Sequence, residues 1–211
     1  TQYVVSTLTI VVVGEELANR IELGDLQVGE NRLVVSTDVN IAVSMPRGVG
    51  ITAELAGGTL RSEPNNQFIR FKMPGNDCTL TITIAKLVYN VTFASGDETM
   101  GTVQGNLHQT VRHGDDAETV TAVPNEGYRF VRWTAVHGSN PVLTVKGVTQ
   151  PASYTAIFER ISFNVTDNAS ATGDVLILTA GEGGTVSASA KKVAYGEQIT
   201  ITATANDGYT F

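Results

Sequence analysis

The chain has 211 residues, 42% of them hydrophobic and 17% charged, which excludes a low-hydrophobicity disordered chain and is too charge-poor for a coiled coil. A formal net charge of −7 argues against nucleic acid as a partner, because binding a phosphate backbone needs clustered Lys and Arg. No apolar run reaches the roughly 18 residues of a membrane span; the longest, near Thr9 to Val13, is strand length.

Thr, Val and Ile account for 65 of the 211 residues. β-Branched side chains at that density suit pleated, half-buried surfaces better than helices, so the expected fold is mainly β. The chain opens at Thr1 with no initiator Met and no charged-then-apolar leader, which reads as a processed mature chain or a piece of a longer one and fits an exported protein. Cys78 is the single cysteine; it forms no internal disulfide and leaves the compartment open.

Along the chain, Glu15 to Leu23 is the one stretch with a helical pattern, Leu17 and Ile21 standing at i and i+4. Three modules are expected, at 1–86, 87–160 and 161–211. In the first, Val28-Gly29-Glu30 precedes an alternating stretch, and Met45-Pro46-Arg47-Gly48 sits where a turn belongs. Phe71-Lys72-Met73-Pro74 then leads into the alternating Thr79 to Ile84. The boundary near Lys86-Leu87 is tight, whereas Thr166 to Gly173 is small and polar, as a linker or long loop would be.

The second and third modules repeat one another. Gly101-Thr102-Val103 recurs as Gly184-Thr185-Val186, Gly114 as Gly196, and the turn Asn125-Glu126-Gly127-Tyr128 as Asn206-Asp207-Gly208-Tyr209. The offsets are 83, 82 and 81 residues, so only small loop changes separate the copies; the features of module 1–86 read as a third, weaker copy. In Gln198 to Ala205, Ile199, Ile201, Ala203 and Ala205 alternate with Thr200, Thr202 and Thr204, the period of a strand buried on one face. The Asn-x-Gly turns follow from glycine's access to positive φ. After the first, Tyr128 and Phe130 share a face that strict alternation denies to Trp133, so a bulge or a strand covered on both sides is expected.

These residues resemble the divergent internalin B-repeat, a relative of the Listeria–Bacteroides repeat. Its pattern is a Gly-Thr-Val strand, a Val-x-x-Gly-Glu-like turn, a Thr-rich strand, Pro-Asn-Glu-Gly-Tyr-x-Phe-x-x-Trp, and a closing Tyr-Thr-Ala-x-Phe strand. Here they are Gly101 to Val103, Val111 to Asp115, Thr119 to Val123, Pro124 to Trp133, and Tyr154 to Phe158. The C-terminal copy follows the pattern as far as Phe211, without counterparts to Val131 through Phe158. Its sheet is therefore expected to be incomplete, with Ile199 and Ile201 poorly covered and the region after Gly173 mobile or completed by a neighbour. The resemblance implies small tandem β modules, β-grasp-like or small β-sandwiches, in an elongated arrangement along bacterial surface or secreted proteins. It brings no catalytic residues.

Few residues are marked for chemistry. His108, His113 and His137 stand apart in loop-like stretches, with no metal-ligand spacing, and read as exposed or structural. Asp115-Asp116-Glu118 after Gly114 offers the oxygens a calcium ion takes, but the EF-hand spacing is missing and the next copy has only Glu197; a solvated turn is the favoured reading. Gly181-Glu182-Gly183-Gly184 is followed by no Lys-Ser or Lys-Thr and reads as a connection, not a phosphate loop. No Gly-x-Ser-x-Gly elbow marks a nucleophile. Asn90, Asn164 and Asn168 head glycosylation sequons. Tyr128, Tyr195, Tyr209 and Trp133 could form a sugar platform, with Trp133 favoured as core.

No catalytic, cofactor-binding or metal residue is therefore expected, no cofactor, and no enzyme activity. The leading reading is a structural or adhesive stalk module, extracellular or on the cell surface, whose partner is a host or neighbouring-cell protein or a glycan. The alternative is an accessory or glycan-binding segment of a secreted enzyme, such as a polysaccharide-degrading one, which would show a pair of carboxylates at glycosidase spacing; no such pair is marked.

Overall fold

A computed structural model describes residues 3–14, 21–62, 64–65 and 67–210. Every regular element among them is a β-strand, as the β-branched composition predicts. The helix expected over Glu15 to Leu23 falls largely outside the described residues. Its described end, Ile21–Glu22, is a strand paired with Val43 and Ala42. The chain divides into two compact units: Thr1–Asn90 with Thr110–Asp116 and Lys146–Pro151, and Val91–Gln109 with Ala117–Val145 and Ala152–Phe211.

In the first unit, the N-terminal repeat contains β1 (Val5–Val13), β2 (Ile21–Glu22), β3 (Gly29–Val34), β4 (Asp38–Val43), β5 (Val49–Ala56), β6 (Phe68–Lys72) and β7 (Cys78–Lys86). They form two sheets, ordered β3-β1-β7-β5 and β2-β4-β6. The first and last strands lie side by side and parallel, with Leu8 opposite Cys78 and Ile10 opposite Leu80. Alternation does the sorting: Leu8, Ile10, Leu80 and Ile82 from one sheet and Ile41, Ile69 and Phe71 from the other are all buried in a single core. Each such side chain removed from water contributes roughly 1.5–3 kcal/mol. The two facing sheets make this a sandwich.

The middle repeat has β8 (Val88–Ser95), β9 (Gly101–Gln104), β10 (His108–Arg112), β11 (Val120–Pro124), β12 (Tyr128–Trp133), β13 (Val142–Leu143) and β14 (Ala152–Arg160). Its sheets run β10-β8-β14-β12 and β13-β11-β9. Shifted by seven strands, this is the order of the first repeat, including the parallel pairing of first and last strands, β8 with β14. Between Phe130 and Arg132 the pairing of β12 with β14 shifts register. That is the expected bulge, and it turns Trp133 inward with 1% of its surface exposed.

The third repeat has β15 (Ser162–Thr166), β16 (Val175–Ile177), β17 (Gly184–Ala188), β18 (Lys192–Ala194) and β19 (Ile201–Ala205), in sheets β16-β15-β18 and β17-β19. The same backbone hydrogen bond opens all three repeats: the amides of Val35, His113 and Tyr195 donate to the carbonyls of Val4, Leu87 and Ile161 at 2.9, 2.8 and 2.9 Å. Gln198 to Ala205 has the alternation of a strand buried on one face, but Ile201 is 50% exposed, the poor coverage expected of it. The physical reason is coverage. In the middle repeat β11 is flanked by both β9 and β13, whereas among the described residues β19 pairs with β17 alone.

Candidate functional site

The feature built twice from equivalent residues is the joint between one repeat and the next. It starts from a turn. The amides of Val49 and Tyr128 donate to the carbonyls of Pro46 and Asn125 at 3.3 and 3.1 Å, and the third residue of each turn is a glycine at positive φ, Gly48 at 79° and Gly127 at 83°. A type II turn demands that conformation, which glycine reaches without steric cost. The sequence pair Met45-Pro46-Arg47-Gly48 and Pro124-Asn125-Glu126-Gly127 thus serves one geometry.

The following repeat seats itself on that glycine. At the first joint, which lies wholly in the first unit, Leu87 N donates to Gly48 O at 2.7 Å and His113 N to Leu87 O at 2.8 Å. A Cβ on Gly48 would fall inside the His113 imidazole, and His113 Nδ1 lies 3.1 Å from Tyr89 Oη. Lys86 Nζ meets Asp115 Oδ1 at 2.8 Å. At the second joint, wholly in the second unit, Ile161 N donates to Gly127 O at 2.8 Å and Tyr195 N to Ile161 O at 2.9 Å. A Cβ on Gly127 would lie 2.7 Å from Tyr195 Cδ1, and Arg160 Nη1 meets Glu197 Oε1 at 3.0 Å.

Each joint therefore combines a connector residue bonded on both sides, a ring lying on a glycine, and an ion pair. The main-chain bonds set register, and the ring excludes any side chain larger than hydrogen beneath it. The ion pairs, about half exposed, contribute little energy, on the order of 0–1 kcal/mol. The second joint adds two contacts: Tyr195 Oη donates to Glu126 Oε1 at 2.7 Å and Arg160 Nη2 to Tyr195 O at 3.0 Å. The Glu126 carboxylate holds the Tyr195 phenol above its usual pKa.

The histidines and carboxylates of interest do not converge. His108 is an exposed strand residue at the start of β10, not part of a loop, His137 is exposed in a loop, and His113 belongs to the joint. Asp115 pairs with Lys86, and Asp116 accepts from Lys146 Nζ at 2.8 Å and from Gly147 N at 2.9 Å. Those bonds hold the Asp116 carboxyl below its usual range. No group of three or more His, Cys, Asp or Glu among the described residues is placed to hold a metal ion. Gly184 N donates to Gly181 O at 3.3 Å in the turn that opens β17.

The aromatic candidates do not form one platform. Trp133 packs between Phe93 and Phe130, with ring centroids 6.2 and 5.8 Å away, and donates to Pro141 O at 3.2 Å. Tyr195 lies on Gly127 and Tyr209 on Gly183. Asn90 and Asn164 are exposed strand residues of β8 and β15. The joint is hidden in the sequence because its partners are far apart. Its only signal there is a turn glycine of one repeat paired with a ring residue just before the glycine of the next repeat's Gly-Asp or Gly-Glu turn.

Repeated two-sheet units joined in this way define a tandem-repeat β protein. The sequence model of the divergent InlB B-repeat domain matches residues 89–162 and again 175–211, more than half of the chain, and the chain belongs to that family. Such repeat domains are typical of bacterial surface proteins and are generally non-catalytic. No curated protein matches the chain. Residues 1–88 lie outside the family match; their two sheets have the strand order of those of the middle repeat, and the same opening hydrogen bond.

Proposed function

We propose that this chain is a non-enzymatic spacer of a bacterial cell-surface protein, a stalk segment that holds successive repeats in register and presents a binding surface to a host or neighbouring-cell protein or glycan. The observation that carries the reading is the joint built twice from equivalent residues, Gly48 with His113 and Gly127 with Tyr195. A flexible linker would need neither the bonded connector nor the ring over the glycine. A spacer needs both, because register lost at each joint would accumulate along a tandem array.

The test is the spread of distances across the second joint. Spin labels placed on the exposed Thr102 of β9 and Thr185 of β17 should give one narrow distribution, and Gly127→Val should broaden it. Cys78 is buried and does not compete for the label. A broad distribution in the unaltered chain would overturn the spacer reading.

A further inference from the structure

The second sheet of the first repeat is charged on its outer face, and the matching sheet of the middle repeat is not. Alternation buries Val39, Ile41, Ile69 and Phe71 and turns Asp38, Asn40, Phe68, Arg70 and Lys72 of β4 and β6 outward. Register sets Asp38 beside Lys72 and Asn40 beside Arg70. Arg61 joins them from the segment flanking β6, where Arg61 N donates to Arg70 O at 2.9 Å and Leu60 bridges to Phe71. The corresponding strands of the middle repeat, β9, β11 and β13, contain no charged residue, so the fold itself does not demand these cations.

Arg70 is held in place with its binding capacity left over. Its Cζ lies 4.2 Å from the centroid of the Phe68 ring, and its Nε donates to Asn40 Oδ1 at 3.0 Å. Its two terminal nitrogens meet no acceptor among the described residues. The ring and the Asn40 amide fix the plane of the guanidinium, so that less side-chain freedom is lost when a ligand binds.

Arg61 and Lys72 share one carboxylate. Both pair with Asp38, Lys72 at 3.4 Å. With Arg70 that makes three cations against one carboxylate, a patch of net positive charge in a chain whose formal net charge is −7. Glu22 stands on β2 beside Ala42, at the opposite end of the sheet from the Asp38–Lys72 pair. Main-chain pairing is closed to an extended peptide here, because β4 lies between β2 and β6, and β6 lies between β4 and the Leu60 segment. Recognition on this face therefore falls to side chains, and charges at fixed points suit a partner that repeats its own charge along a chain.

We propose that this face binds an acidic polysaccharide through its uronate carboxylates: Arg70 takes one carboxylate on its free fork, and Arg61 and Lys72 attract the next. The planar fork matches a planar carboxylate with two parallel hydrogen bonds, which selects this anion. The inference deepens the spacer reading, on which it rests for a glycan as partner, and it uses none of the residues of the joints.

The test titrates the whole chain with hexagalacturonate, with a neutral hexamer of glucose and with hexaglutamate, read by amide chemical shifts at low and at physiological ionic strength. Saturable binding of hexagalacturonate alone is expected, with shifts at Asn40, Phe68 and Arg70, and it should weaken as salt screens these exposed charges. Arg70→Gln should bind at least about tenfold more weakly. Arg70→Lys, which keeps the charge and loses the fork, should also bind more weakly than the unaltered chain. Asp38→Asn, which releases Arg61 and Lys72, should bind more tightly. Absence of saturable binding to both the unaltered chain and Asp38→Asn would overturn the proposal, and so would an affinity that Arg70→Gln leaves unchanged. Equal binding of the neutral hexamer would remove the carboxylate from the account, and equal binding of hexaglutamate would make an acidic protein the partner; either overturns it. None of these results bears on the spacer, which the distances across the second joint decide, and a broad distribution there would leave the uronate site standing.

Discussion

The ring of Tyr195 lies on Gly127, 68 positions earlier in the sequence, so close that a Cβ on the glycine would stand 2.7 Å from its Cδ1. Two separate constraints meet at that glycine: a φ of 83° and the ring above it. They can be pulled apart by comparison with Gly114, whose φ is 81° and where a Cβ would meet nothing within 4 Å.

Gly114→Ala carries the backbone strain of a left-handed conformation, about 1–2 kcal/mol, less the offset from the freedom the unfolded chain loses with its glycine, and no collision. Gly127→Ala carries that strain and the collision with Tyr195, and it should destabilise by clearly more. In the Tyr195→Ala background the excess should vanish, because the ring that collides is gone. Urea unfolding of the four variants measures this, and equal losses for the two glycines would show that the ring imposes nothing on the joint.

Trp133 carries the core of the middle repeat, against Phe93 and Phe130. Trp133→Ala should cost about 3–5 kcal/mol, a large share of the stability of a small domain. Thermal unfolding decides between core and ligand platform: a midpoint that does not move would place the indole's role outside the core.

These two sites differ in how visible they are in the sequence. Trp133 is legible because local alternation fails there: Tyr128 and Phe130 share a face that Trp133 leaves, and only a bulge reconciles them. The joint is not legible, since no local pattern connects Gly48 with His113 or Gly127 with Tyr195. A histidine in a loop-like stretch reads as exposed or structural, and His113 is structural, the steric partner of a glycine far from it in sequence. β16 is hidden for a related reason. Val175–Ile177 is part of a four-residue apolar run ending at Leu178, after a small, polar stretch, and it becomes a strand only because Asn164 to Thr166 offer an edge to pair with.

Acid should loosen the turn after β10. Lys146 and the Gly147 amide bind the Asp116 carboxylate and lower its pKa from an ordinary 3.8. A carboxylate with a lower pKa in the folded state than in the unfolded chain stabilises the fold above the unfolded value, and that contribution is lost as pH falls through the folded one. Asp116→Asn should therefore reduce stability near pH 6 and cost less near pH 2, because the carboxylate's contribution falls away as pH drops through the folded-state value. Urea midpoints at the two pH values test this; the same loss at both would assign the effect to packing and not to charge.

A serine disguises the first repeat. The turn occupied by Gly114 and Gly196 in the later repeats is occupied in the first by Ser36, and all three have positive φ, 81°, 76° and 67°. The equivalence is fixed by hydrogen bonds: Ser36 N donates to Met73 O and Met73 N to Thr37 O, as Gly114 N does to Val148 O and Val148 N to Asp115 O. A serine there bears the steric penalty of the left-handed region, because its Cβ approaches the following carbonyl oxygen. Glycine removes that penalty but gives the unfolded chain more freedom, so the net gain from Ser36→Gly should be smaller, about 0.5–1 kcal/mol. The reciprocal Gly114→Ser should lose a similar amount, since the space around Gly114 is open and only the backbone resists. Denaturation midpoints that rise for the first variant and fall for the second would establish that one turn geometry is demanded in both repeats. A fall for Ser36→Gly would mean that the serine hydroxyl contributes more than the strain removes, and the steric account of this turn would fail.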